Sequence, residues 1–142
     1  MNYLLDTTVI SELRARAPNQ KVIDWLDSLA PETVYLSVIT IGELRKGIEK
    51  LAPSRRKEEL TLWLETDLLL RFAEHVVDIT QAVMLVWGEL TGRLEREGKP
   101  IPAIDSLIAA SVLEGNYTLV TRNEDDFRST GVSLINPWKL VA

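Results

Sequence analysis

Apolar residues recur along this chain at two spacings, and the two spacings alternate. Short β-rich runs at Tyr3–Leu5, Val34–Val38, Glu74–Val77, Thr118–Val120 and Val132–Ile135 predict strands. Between them the apolar positions fall into helical register. Helices are predicted over Thr7–Arg14 and Gln20–Leu29, the second carrying the stripe Val22, Ile23, Trp25, Leu26 and Leu29. Ile41, Leu44, Ile48 and Leu51 align on a helix over Ile39–Leu51, and a further helix spans 55–70. Val83, Val86, Trp87, Leu90 and Leu94 mark an amphipathic helix over Gln81–Glu97. The helix that begins at Ala103 and closes at Gly115-Asn116 is apolar on almost every side, which predicts burial. Pro18, Pro31, Pro53, Pro100 and Pro102 punctuate the pattern, because a proline disfavours helix at the residue before it.

Strands alternating with helices predict a parallel sheet covered on both faces. The strand ends of such a sheet converge on one edge, where ligands gather. Acids stand at four of these stations. Asp6 follows the first strand directly. Glu43 lies one turn into the helix after the second strand. Asp105 sits in the first turn of the apolar helix, and Asn123 and Asp126 follow the 118–120 strand. Each has a plainer reading as well: Asp6 as a helix cap, Glu43 as a solvated helix acid, Asp105 as an acid favoured by the helix dipole.

Composition narrows the chemistry. The 142 residues form one domain, 1–142, of a size that buries roughly two-thirds of its unfolded surface. There is no cysteine, so neither disulfides nor thiolate metal sites arise. No apolar run approaches the roughly 20 residues that span a bilayer, and no signal-peptide core precedes Tyr3. The expectation is a cytoplasmic protein with no membrane partner. The net charge of -5 argues against a broad nonspecific nucleic-acid footprint, though not against an acidic metal site that acts on nucleic acid. His75 is the only histidine, which rules out a histidine-rich centre. Two carboxylates about 4 Å apart repel by roughly 4 kcal/mol at an effective dielectric near 20. A cluster of them needs a cation or shifted pKa values. Oxygen-only ligands select hard ions, Mg²⁺ or Mn²⁺ over Zn²⁺, the usual apparatus of phosphodiester hydrolysis.

Five segments in order carry a resemblance: LLDTTVISEL at 4–13, LSVITIGELRKGI at 36–48, IPAIDSLIAASVL at 101–113, LVTRNEDDF at 119–127 and LINPW at 134–138. Together they span essentially the whole chain, which resembles the PIN-domain ribonucleases of the VapC type, in particular the FitB branch. These are the toxin halves of type II toxin–antitoxin pairs. The resemblance implies a three-layer α/β/α sandwich around a parallel sheet of about five strands. It implies that Asp6 and Asp105 are the main ligands of Mg²⁺ or Mn²⁺ and that Glu43 is the third acid. For the fourth corner the resemblance offers Asn123 or Asp126; Asp126 is expected as the fourth acid, with Asn123 as a supporting group. Thr7 and Thr8 would hydrogen-bond Asp6 or the metal waters.

The implied activity is metal-dependent endoribonuclease cleavage of RNA that arrests growth. The implied partners are a cognate antitoxin, promoter DNA reached only through that antitoxin, and a second copy of the chain. Arg14, Arg16, Lys46 and Arg122 are candidate phosphate contacts. Two other readings compete. One is a catalytically silent PIN domain that binds RNA or a protein. The other is a haloacid-dehalogenase-like phosphohydrolase with Asp6 as nucleophile.

Overall fold

The computed structural model describes residues 1–140. Five short strands form its sheet: β1 (Tyr3–Leu5), β2 (Val34–Ser37), β3 (Val76–Val77), β4 (Thr118–Val120) and β5 (Leu134–Ile135). They run in the order β3-β2-β1-β4-β5 and every pair is parallel. β1 is therefore central. Leu5 lies in register with Leu36 on one side and Val120 on the other. The chain order reverses across β1, and that is where an open parallel sheet forms its ligand crevice.

Among the described residues eight α-helices cover the two faces: α1 (Thr7–Leu13), α2 (Gln20–Asp27), α3 (Val38–Glu49), α4 (Arg55–Leu62), α5 (Leu69–Arg71), α6 (Gln81–Arg96), α7 (Ala103–Gly115) and α8 (Glu124–Phe127). Because successive strand side chains point to opposite faces, β1 feeds two cores. Leu5 packs with Val9 and Ile10 of α1, Val22 and Leu26 of α2, and Leu44 and Ile48 of α3. Leu4 packs on the other face with Leu90 and Leu94 of α6 and Ile108, Ala109 and Val112 of α7. The result is the three-layer α/β/α sandwich expected from the sequence. Ser and Thr caps set the helix starts: Ser37 accepts from the Ile39 amide at α3, and Thr80 from the Val83 amide at α6. Asn116 ends α7 in the left-handed region, φ 56°. Among the described residues no helix is long and apolar enough to cross a membrane.

Three local expectations shift. The helix expected over 55–70 is interrupted by a π-helical stretch, Trp63–Leu68, which turns Leu64 and Leu68 into the core. The third strand shrinks to Val76–Val77 because Glu74 adopts φ 69°, which no strand accommodates. The last strand likewise shortens to Leu134–Ile135.

Leu4 is fully buried at the sheet centre. Leu4→Ala should cost about 2–5 kcal/mol, read as a lowered urea midpoint with an unchanged m-value.

Candidate metal centre

Asp6 stands at the N-cap of α1 with an extended backbone, yet its side chain makes no capping bond. Its Oδ2 instead accepts from the Thr8 hydroxyl at 3.1 Å and from the Thr121 hydroxyl at 2.8 Å. The residue is only 6% exposed. The plain reading as a cap therefore fails, and the carboxylate is held for another purpose. Both threonines also accept from the β4–α8 turn: Thr121 from the Asn123 amide at 3.0 Å, Thr8 from the Arg122 amide at 3.4 Å. A backbone bond from the Asp6 amide to the Val120 carbonyl, 2.9 Å, completes the seam. The ends of β1 and β4 are thus stitched together through one acid.

Glu43 projects from the second turn of α3. Its Oε1 accepts a 2.6 Å bond from the Thr7 hydroxyl, and Thr7 Oγ1 lies 3.2 Å from the hydroxyl of the buried Thr40. Of the adjacent pair expected to serve Asp6, Thr8 does so, while Thr7 faces Glu43. Alternate residues at the start of α1 thereby hold two different acids.

Asp105 lies in the first turn of α7, partly buried. That turn is fixed from within: the Trp87 indole N–H of α6 donates to Ser106 Oγ at 2.8 Å, and Ser106 Oγ donates to the Ala103 carbonyl at 2.8 Å. The Asp105 carboxyl is pushed up from its ordinary 3.8 to about 6. Burial is the largest cause, followed by the charges of Asp126, Asp6 and Glu43. Asp105 therefore feels all three other candidate acids.

Asp126 belongs to α8, a four-residue helix that the sequence pattern does not predict. Buried Phe127 anchors this helix, and an exposed Lys139–Glu124 pair at 2.7 Å ties it to the C-terminal segment. Asp126 itself is exposed. Asn123 precedes the helix with its side chain uncommitted to capping. Of the two candidates for the fourth corner, Asp126 is the one whose charge reaches Asp105. Thr40, Thr121, Trp87 and Ser106 are supports that reading the sequence did not single out.

The donor set suits a hard divalent ion. All four side chains offer carboxylate oxygens only. Among the described residues none of them is in a salt bridge, so their mutual repulsion has no protein cation to offset it. Among the described residues, no three His, Cys, Asp or Glu side chains are gathered closely enough to hold a metal ion between them. Mg²⁺ keeps several waters and takes one or two carboxylates at a time, so ligation by a pair of these acids is what the arrangement allows.

The sign of the linked stability follows from Asp105. Its folded pKa exceeds its unfolded one, so the folded state binds the extra proton between pH 3.8 and about 6 and loses stability as pH rises through that window. In EDTA, Asp105→Asn should raise the urea midpoint above pH 6 and leave it unchanged at pH 3.5. An equal effect at both pH values would contradict the repulsion.

The sequence and the fold are shared with known proteins. The chain is 40% identical to the plasmid stability protein StbB of Pseudomonas syringae pv. tomato, covering 96% of this chain and 98% of that one. It is 38% identical to the toxin FitB of Neisseria gonorrhoeae, covering 95% and 97%. It is 33% identical to the VapC ribonuclease Y4jK of Sinorhizobium fredii, covering 96% and 97%. The crystal structure of FitAcB from Neisseria gonorrhoeae superposes with a TM-score of 0.92 at 38% identity, covering 97% of this chain and 99% of that one. FitAB bound to an IR36 DNA fragment superposes equally well, TM-score 0.92 at 36% identity, covering 99% and 98%. Residues 3–132 match the PIN domain, and the chain belongs to the PIN domain family.

Proposed function

We propose that this protein is a Mg²⁺- or Mn²⁺-dependent endoribonuclease, the toxin of a type II toxin–antitoxin pair. The observation that carries the reading is the set of four acids in which Asp126, Asp6 and Glu43 all act on Asp105, with no salt bridge to any of them among the described residues. Similarity over nearly the whole chain to a VapC ribonuclease and to the toxin FitB supports it.

In this reading Asp6 and Asp105 hold the ion, Glu43 and Asp126 complete its surroundings, and Asn123 adds an uncharged oxygen. A bound Mg²⁺ or Mn²⁺ supplies charge neutralisation at the scissile phosphate and lowers the pKa of a coordinated water. The protein supplies position. Thr8 and Thr121 leave Oδ1 of Asp6 as its free oxygen, since both bond Oδ2. Thr7 orients Glu43 through Oε1, leaving Oε2 to take the proton of the attacking water as that water's oxygen bonds to phosphorus, the P–O ester bond breaks and the departing oxygen takes a proton from solvent. A phosphoaspartate mechanism draws less support: Asp6 is nearly enclosed and one of its oxygens is doubly bonded by threonines.

The partners follow the same reading. The structures FitAcB and FitAB on DNA support a protein antitoxin through which the toxin joins promoter DNA. A homodimer in the cytoplasm completes the proposal.

Antitoxin-free protein should cut cellular RNA at discrete sites in Mg²⁺ or Mn²⁺, and EDTA should abolish the cuts. Glu43→Gln and Asp105→Asn should each lower kcat by about 10²–10⁴-fold. Thr7→Val, which removes only the support of Glu43, should lower it by about 10–100-fold. The time course of end-mapped cleavage of total RNA reads all five results. Uncut RNA with wild-type protein that binds Mn²⁺ would contradict the reading.

A further inference from the structure

A groove of about 370 Å³ leads away from the acid cluster between α1, α3 and α4. Thr7, Glu43, Arg14 and Arg56 are charged or polar groups set in its otherwise largely apolar walls, which include Leu44 and Trp63. This groove therefore includes the two residues that share the 2.6 Å hydrogen bond of the site.

Its two arginines are unusual for this chain. Arg14 Nε is sealed from solvent and has no hydrogen-bond partner, the one such side-chain atom among the described residues. A buried donor left unmade is costly, and no protein acceptor among the described residues offsets it. The Arg14 guanidinium carbon lies 5.6 Å from the Trp63 ring centroid, which braces the group without satisfying its N–H donors. Arg56 reaches across from α4 and donates from Nη2 to the Arg14 carbonyl at 2.6 Å, joining two cationic residues 42 positions apart. Among the described residues neither arginine is in a salt bridge, although acids outnumber bases in the chain. Neighbouring Arg55, by contrast, is 93% exposed and pairs with Glu59.

We propose that Arg14 and Arg56 form a phosphate subsite that holds the RNA strand beside the scissile bond, with Trp63 bracing Arg14. The proposal rests on the ribonuclease reading and extends the same site. A planar guanidinium with free donors matches a phosphate bidentately. An acidic cluster that repels the RNA backbone needs a nearby cation to seat it. The path from Glu43 to Arg14 places that cation on a continuous surface with the reaction centre. This identifies the position at which Arg14, one of four basic candidates in the sequence, acts, and adds Arg56.

The test uses full-length wild type, Arg14→Gln, Arg14→Lys, Arg56→Gln and Arg55→Gln, each checked for folding by its Tm. The probe is a labelled single-stranded oligoribonucleotide spanning a mapped cut. Arg14→Gln and Arg56→Gln should raise KM about tenfold, the effect of one lost charge-assisted hydrogen bond, with kcat within twofold. Binding to these variants in the Asp105→Asn background should show a salt slope shallower by about 0.7 per lost phosphate contact. Arg14→Lys, which keeps the charge and a fold-compatible stem, should recover part of the loss and all of the slope. Arg55→Gln should match wild type. Arg14→Gln and Arg56→Gln with wild-type KM and salt slope would overturn the subsite and leave the ribonuclease reading standing. Variants that cut RNA normally but release a protein partner would assign the groove to that partner and overturn it too. A wild type that cuts nothing would overturn both.

Discussion

One carboxylate, that of Asp6, is where this structure meets its function. Two strands from opposite halves of the sequence end side by side, and the acid between them is bonded by a hydroxyl from each. Those hydroxyls also receive backbone amides from the β4–α8 turn. Moving Asp6 therefore disturbs the register of β1 with β4, the start of α1 and the approach to α8 at once. The charge it carries adds to the field that raises the Asp105 pKa. The fold holds like charges at the sheet edge with neutral hydroxyls and partial burial, and among the described residues without salt bridges. Such an arrangement carries an electrostatic cost that a divalent cation would offset, which is the basis of the proposed metal-dependent activity.

The two halves of the sandwich divide the work. Helices α1 and α3, on one face, carry Asp6's neighbour Thr8, the Thr7–Glu43 pair and the walls of the arginine groove. On the other face, the contact of α6 with α7 sets Asp105 through Trp87 and Ser106. Each face delivers acids to a common edge, so a substitution deep in either core can reach the site through a helix rather than through a contact with it.

Much of this was legible in the sequence, for identifiable reasons. Asp6, Glu43 and Asp105 stand directly after a strand or in the first turns of a helix, positions that a parallel sheet carries to one edge whatever the strand order. The strand order itself has no signature in hydrophobic period, and it alone puts Thr121 opposite Asp6. A threonine after a strand is ordinary until Leu5 is known to pair with Val120. The short helix bearing Asp126 contains too few residues to show a period. The π-helical stretch after α4 was invisible because its apolar residues satisfy an α-helical pattern almost as well. Only the fold shows that Arg55 points outward while Arg56 reaches α1. The five motif segments added what periodicity lacked, because they name the edge residues as a set.

The central claim is that these acids form a divalent-metal site whose occupation relieves their repulsion. The most direct measurement is calorimetric titration of Mn²⁺ into the metal-free protein, in two buffers of different ionisation heat, at pH 6 and pH 8. The account predicts saturable binding at both pH values, with proton release at pH 6 that fades at pH 8 as Asp105 is already ionised, and loss of binding in Asp6→Asn. Absence of saturable binding to the folded protein, or binding unaltered in Asp6→Asn, would contradict it.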